Sequence, residues 1–222
     1  MNLKQELSRE RDRWSSALDT PTVALMNRVN DSLRVPEIIG RAVAEGDRAP
    51  NFRLPNAQGG SVELHDLLRQ GPVVLTFYRG QWCPYCSLEL RAYQKLLPQI
   101  QALGAKLIAV SPQTPDNSLS TAEKYQLAYP VLSDVGLHVA RAYGLAFDLP
   151  LELVELYQRQ WSNDLVKWNG AGGGWSLPIP ATYVIGQDAR VALAHVDPDY
   201  RDRLEPEAVL ARLHTLDARR AA

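Results

Sequence analysis

Cys83 and Cys86 are the only cysteines of the chain and lie three apart in the run Phe77-Tyr78-Arg79-Gly80-Gln81-Trp82-Cys83-Pro84-Tyr85-Cys86. Two thiols at that spacing suit reversible thiol-disulfide chemistry. A thiolate is the attacking species, and a second sulfur within reach resolves the mixed disulfide without rearranging the chain. Two other uses of the pair compete with this one. Structural zinc takes four ligands, whereas no further cysteine is present and His65, His138, His195 and His214 are scattered, with no HxxxH-type pair. Free cysteines also pack as small buried hydrophobes, a use that the flanking Trp82, Pro84 and Tyr85 argue against. No metal and no cofactor is expected.

The elements around the pair follow from periodicity. Val73-Val74-Leu75-Thr76-Phe77-Tyr78 is apolar and rich in β-formers, as a buried strand is, while Leu88, Leu90, Ala92, Leu96 and Leu97 recur at helical spacing over about 84–103. Both cysteines therefore fall in the first turn of a helix. Unpaired backbone N–H groups and the positive end of the macrodipole favour a thiolate there. Pro84 suits an early helical position because its missing N–H has no partner to lose.

Residues 1 to about 45 read as a helical N-terminal extension: Leu3, Leu7, Trp14 and Leu18 share a face, and Pro21 restarts a segment carrying Val23, Leu25, Met26, Val29 and Leu33. That apolar face has two possible partners, the main domain or a second subunit, so a homodimer is a candidate assembly. The run Arg9-Glu10-Arg11-Asp12-Arg13 reads as a solvated helix face with local ion pairs. The main domain, 46–222, opens with a hairpin over Phe52-Arg53-Leu54 and Ser61-Val62-Glu63-Leu64. After the strand at 73–78 and its helix come a strand at 106–111, helices at about 116–127 and 136–143, strands at 181–185 and 190–195, and a closing helix at 205–217. This order predicts an α/β fold with a mostly parallel sheet covered by helices. An insertion at about 145–176 holds an amphipathic piece and the glycine-rich run from Trp168 to Trp175, which lacks the GxxxxGK[ST] form and reads as a flexible loop. Its Trp161, Trp168 and Trp175 are expected to pack the insertion against the sheet, with a groove lining as the alternative.

A formal net charge of −1 with interspersed signs offers no basic face, so neither nucleic acid nor a membrane surface is an expected partner. The first residues are too polar for a secretory signal, no stretch is long and apolar enough to span a membrane, and a cytoplasmic location is expected. In that reducing setting a lone CxxC serves as a working redox pair more often than as a staple.

A strand, a CxxC at a helix start and a late Xaa-Pro before an antiparallel hairpin resemble the thioredoxin fold. The run Gly46-Asp47-Arg48-Ala49-Pro50-Asn51-Phe52, the hairpin, and the segment from Phe77 to Cys86 further resemble the peroxiredoxins of the AhpC/TSA family, in its CxxC-containing branch, over about residues 45–215. The resemblance implies a thioredoxin-like fold with a peroxiredoxin-type N-terminal hairpin and an antioxidant or thiol-exchange activity. The peroxiredoxin pattern PxxxTxxC aligns with Arg79, Cys83 and Cys86, so only the cysteine is kept. A late arginine of that family aligns with Pro180. The stretch from Ile179 and Pro180 onward is similar to the thioredoxin segment in which a cis proline faces the CxxC and adjoining backbone pairs with substrate. The buried acid of thioredoxins has Thr76 as its nearest counterpart.

Three functions are open on these residues. In thiol-disulfide exchange, Cys83 attacks beside Trp82 and Cys86 resolves, acting on a thiol or disulfide of a protein or small molecule. In thiol peroxidase chemistry, Cys86 attacks a hydroperoxide and condenses with Cys83, and Arg79 or Arg91, each of which otherwise reads as an ordinary surface or ion-pair residue, has to supply the positive charge. Either enzyme needs a thiol reductant. The non-enzymatic alternative is a redox sensor or docking module whose insertion changes contacts on oxidation.

Overall fold

The structure, a computed structural model, describes residues 2–221, with side chains through residue 218. The outer ends of the two expected ranges, residues 1 and 222, lie outside the described residues. Helices α1 (Leu3–Ala17), α2 (Thr20–Ser32) and α3 (Pro36–Ile39) come first, followed by the hairpin β1 (Arg53–Pro55) and β2 (Ser61–Glu63) and by α4 (Leu64–Leu68). Then follow β3 (Val73–Phe77), α5 (Pro84–Ala102), β4 (Lys106–Ser111), α6 (Pro115–Tyr125), β5 (Val131–Ser133) and α7 (His138–Ala142). The chain ends through β6 (Ala146–Asp148), α8 (Leu151–Arg159), α9 (Leu165–Asn169), β7 (Ser176–Pro178), β8 (Ala181–Ile185), β9 (Val191–Val196) and α10 (Pro206–Ala221).

The central sheet has the order β5-β4-β3-β8-β9. Strands β3, β4 and β5 run parallel, and β8 and β9 join antiparallel. β3 is buried along its whole length because both faces of the sheet are covered. Its side chains alternate between two cores: Val73, Leu75 and Phe77 meet the hairpin, α4 and Tyr143, while Val74 and Tyr78 meet α1, α5 and α10. The register sets Thr76 opposite Thr182 and Phe77 opposite Ala181, so the end of β3 lies beside the start of β8.

The N-terminal arm packs on its own chain. Leu3 and Leu7 are buried in the core beneath α5 and α10, and Val29 with Leu25 and Met26 packs on Leu153, Leu156 and Tyr157 of the insertion. The arm's charged run behaves as expected, with Arg13 paired to Glu10 at 2.5 Å, while Arg11 reaches across to Asp202 at 2.9 Å. The insertion is more ordered than its glycines suggest. β6 and β7 pair antiparallel and tie its ends together, α8 and α9 fill it, and the glycine-rich run makes turns. α6 stops two residues before the expected end because Gln126 adopts a left-handed conformation at its C-cap, φ 51°. No helix among the described residues is long and apolar enough to cross a membrane.

Candidate active site

From the end of β3 the chain turns through Arg79, Gly80 and Gln81 into α5. The Gln113 side chain fixes this turn, its Oε1 accepting the Gln81 N–H at 2.6 Å. Gly80 has φ 149°, and a Cβ there would lie 2.4 Å from Trp82 Nε1, so only glycine lets the indole fold back over the turn. Cys83 is the N-cap of α5 and Pro84 its first residue; sulfur stands where helices ordinarily place a capping oxygen. Cys86 follows within the first turn. Both thiols are free and buried, Cys83 at 1% exposure and Cys86 at 0%.

The two sulfurs have different surroundings. Cys83 forms part of the wall of a cavity of about 460 Å³, together with Trp14, Trp82, Tyr157, Trp161 and Trp168. Cys86 is not on that wall. Its Sγ instead accepts the backbone N–H of Arg79 and the Arg203 guanidinium, each at 3.4 Å. Burial pushes the Cys83 thiol up, but the Cys86 thiol bonded to it and the cations Arg79 and Arg203 more than offset this and bring it down to about 6. Cys86 is pushed up, by burial first and by the Cys83 sulfur second, with Arg203 acting against them.

Arg79 is 4% exposed and lies between rings, its guanidinium 4.0 Å from the centroid of Tyr200 and 5.0 Å from that of Trp82. It donates to the Tyr157 hydroxyl. Arg203 is also buried, with Nε donating to Glu89 Oε2 at 2.8 Å. Burial raises Glu89 to about 7 against the pull of Arg203. A polar row continues behind it: Thr182 Oγ1 lies 3.5 Å from Glu89 and 3.4 Å from Thr76, and accepts from the Tyr93 hydroxyl at 3.3 Å.

Several sequence expectations change here. Arg79 is not the ordinary surface residue its type suggests but is buried beside the pair, its backbone N–H on the Cys86 sulfur, whereas Arg91 is exposed. Arg203, unforeseen, supplies the second cation. Thr76 makes no hydrogen bond to either sulfur among the described residues and lies one hydroxyl removed from the buried acid, which is Glu89. The Ile179–Pro180 bond is trans, like every peptide bond among the described residues. The Ile179 N–H is already donated to Leu145 O at 2.8 Å, and Pro180 has none, so neither offers a free donor for pairing with a substrate strand. Pro180 borders a small crevice behind Arg79, outside the Cys83 cavity. Pro84 and Trp82 line the cavity, and Tyr85 closes its margin edge-to-face with Tyr200, with centroids 5.6 Å apart. Trp161 and Trp168 line the cavity as well, the alternative to simple packing, while Trp175 packs within the insertion.

The profile of the AhpC/TSA family matches residues 45–194. The chain is 36% identical over 101 residues to thiol-disulfide oxidoreductase ResA of Halalkalibacterium halodurans, a match covering 45% of this chain and 56% of that protein. It is 32% identical over 107 residues to chloroplastic peroxiredoxin Q of Gentiana triflora, covering 48% of this chain and 49% of that one. The chain thus spans about half the length of these curated relatives. Among solved structures, peroxidoxin BcpB from Mycobacterium tuberculosis superposes with a TM-score of 0.62 at 24% identity, over 78% of this chain and 98% of that one, which shows the shared thioredoxin-like fold.

Proposed function

The chain belongs to the AhpC/TSA family, and from that premise we propose that it is a thiol-disulfide oxidoreductase in which Cys83 attacks and Cys86 resolves. One observation carries the reading: of the two sulfurs, only Cys83 lies on the cavity wall, and its thiol is lowered while that of Cys86 is raised. The Cys83 thiolate attacks one sulfur of a substrate disulfide, whose other sulfur leaves as a thiolate. Cys86 then gives up its proton and attacks the Cys83 sulfur, releasing the second substrate thiolate and closing the Cys83–Cys86 disulfide. An external thiol reductant restores the pair. Cys86→Ser should trap a mixed disulfide on Cys83, seen as an adduct in the intact mass. Cys83→Ser should trap none, and an adduct on Cys86 instead would overturn the assignment.

A second reading, hydroperoxide reduction, is favoured by the two donors on the Cys86 sulfur, the Arg79 N–H and Arg203. There a thiolate breaks the O–O bond, an alcohol or water leaves, and the resulting sulfenic acid condenses with the other thiol to release water. Stopped-flow oxidation separates the readings. A rate with hydrogen peroxide no greater than that of a free thiol removes the peroxidase, and slow reduction of disulfides removes the exchanger.

A further inference from the structure

We propose that the cavity over Cys83 binds a small, flat aromatic molecule bearing an anionic oxygen group, and that an aromatic disulfide of this kind is what Cys83 opens. The second half rests on the exchange reading above; the first does not. The walls make the aromatic argument. Trp82 meets Tyr157 edge-on at 5.5 Å, Tyr157 meets Trp161 at 5.0 Å, and Trp161 meets Trp14 at 5.8 Å, so one continuous series of rings surrounds the opening. A volume of about 460 Å³ falls in the range of small-molecule sites. Trp14 comes from the N-terminal arm, outside the matched residues 45–194, so this part of the enclosure is not supplied by the family domain.

Arg79 makes the anion argument. It is buried, lines the cavity, has no hydrogen-bond partner at Nε, and enters none of the ion pairs among the described residues. The other buried cation at the site, Arg203, is matched by Glu89. A desolvated cation needs a counter-charge. In the reduced chain the Cys83 thiolate supplies it; once that sulfur is bonded to another, the Tyr200 and Trp82 rings and the Tyr157 hydroxyl still face Arg79, but no anionic side chain among the described residues lines the cavity and a ligand anion can take that place.

The cover over Cys83 also favours a small substrate over a protein. Cys83 is 1% exposed, and the arm and the insertion together stand over it. A disulfide held in a folded partner has to bring its surroundings past the arm and the insertion, whereas a diaryl disulfide is of a size that about 460 Å³ accommodates. The chemistry balances: the thiolate of Cys83 displaces one arenethiolate and Cys86 displaces the other, so two electrons from the pair yield two arenethiolates and the Cys83–Cys86 disulfide, and an external thiol re-reduces it.

The test measures binding and reaction separately. Calorimetry with the Cys83→Ser chain compares naphthoate, naphthalenemethanol, cyclohexanecarboxylate and N-acetyltryptophanamide. Naphthoate should bind at least about tenfold more tightly than the others, and Trp161→Ala should remove about tenfold of that affinity. Arg79→Gln should close the gap between naphthoate and naphthalenemethanol; Trp161, at the cavity edge, keeps the test alive if that variant does not fold. Equal affinities across the set, or tighter binding of the blocked amino acid, overturn the site. For reaction, the rates of the reduced chain with dithiobis(nitrobenzoate) and with dithiodipropionate are each divided by the rate at which dithiothreitol reduces the same disulfide, and the aromatic ratio should exceed the aliphatic by about tenfold. Binding without reaction would refute the exchange reading and the proposed substrate while keeping the ligand site. Equal normalised rates without binding would refute the site and keep the exchange.

Discussion

Replacing Arg79 by Gln removes one of the two cations that hold the Cys83 thiol down to about 6. A nearby opposite charge is worth about one to three pKa units, so with Arg203 still present the thiol should move to about 7–9. At pH 7 the thiolate fraction would then fall from about nine-tenths to between about one half and one hundredth, whereas an ordinary thiol near about 8.5 holds about 3%. The assay is carbamidomethylation of the reduced chain across pH, with peptide mass spectrometry separating Cys83 from Cys86. The midpoint is the quantity to read, because a thiolate of higher pKa is intrinsically more nucleophilic and partly masks a change in plateau. Stability should follow the same groups. A thiol lowered by folding contributes stability that is present above its ordinary range and lost as pH falls through about 6. Cys86, raised, works in the opposite sense above the ordinary thiol range, so the gain is confined to roughly pH 6 to 8.5. Arg79→Gln should flatten that window. A midpoint unmoved in the variant, or Cys86 modified before Cys83, would refute the electrostatic account.

Glu89→Gln tests the buried acid. Folding raises Glu89 to about 7, so the native chain loses stability as pH climbs from the ordinary carboxylate range through that value, and the variant does not. Urea unfolding should show the variant gaining on the native chain by about 3 kcal/mol between pH 4 and 8, and a gap that is constant or reversed in sign would contradict the site's electrostatics. Leu7→Ala tests the arm. As Leu7 is buried beneath α5, truncation should cost about 2–5 kcal/mol in the same assay, while a loss under about 1 kcal/mol would detach the arm from the domain.

Elements with a strong local period were legible before the structure: β3, α5, β4 and β8 lie within a residue or two of their expected bounds because burial on both faces or on one stripe leaves a direct mark on composition. Glu89 was legible in principle. It follows Cys86 by three on the same helix and shares a buried face with Leu90 and Tyr93, and a carboxylate on such a face demands a partner. The partner itself, Arg203, is 114 residues from Glu89 in the chain and sits in a loop, where no periodicity points at a contact. The segment at Ile179 and Pro180 was illegible for a related reason. Alignment transfers a position in a strand, but whether Ile179 has a free N–H depends on Leu145, a residue at the start of the insertion. The burial of Cys83 was equally hidden, since an apolar stripe on α1 shows that something covers it and not what.

The unequal sulfurs also impose an order on the reaction. Two of the influences that raise Cys86 come from Cys83 itself, the hydrogen bond that the Cys86 thiol donates to the Cys83 sulfur and the negative charge of the thiolate. Once Cys83 enters a mixed disulfide, that charge is gone. Arg203 and the Arg79 N–H, each 3.4 Å from the Cys86 sulfur in the free-thiol structure, then act without that opposing charge, which should shift the balance there toward the thiolate. A pair with equal pKa values would expose two competing nucleophiles in the resting chain. Under the proposed exchange, Cys86 would stay protonated until Cys83 has reacted, and the first bond formed would lower the barrier to the second.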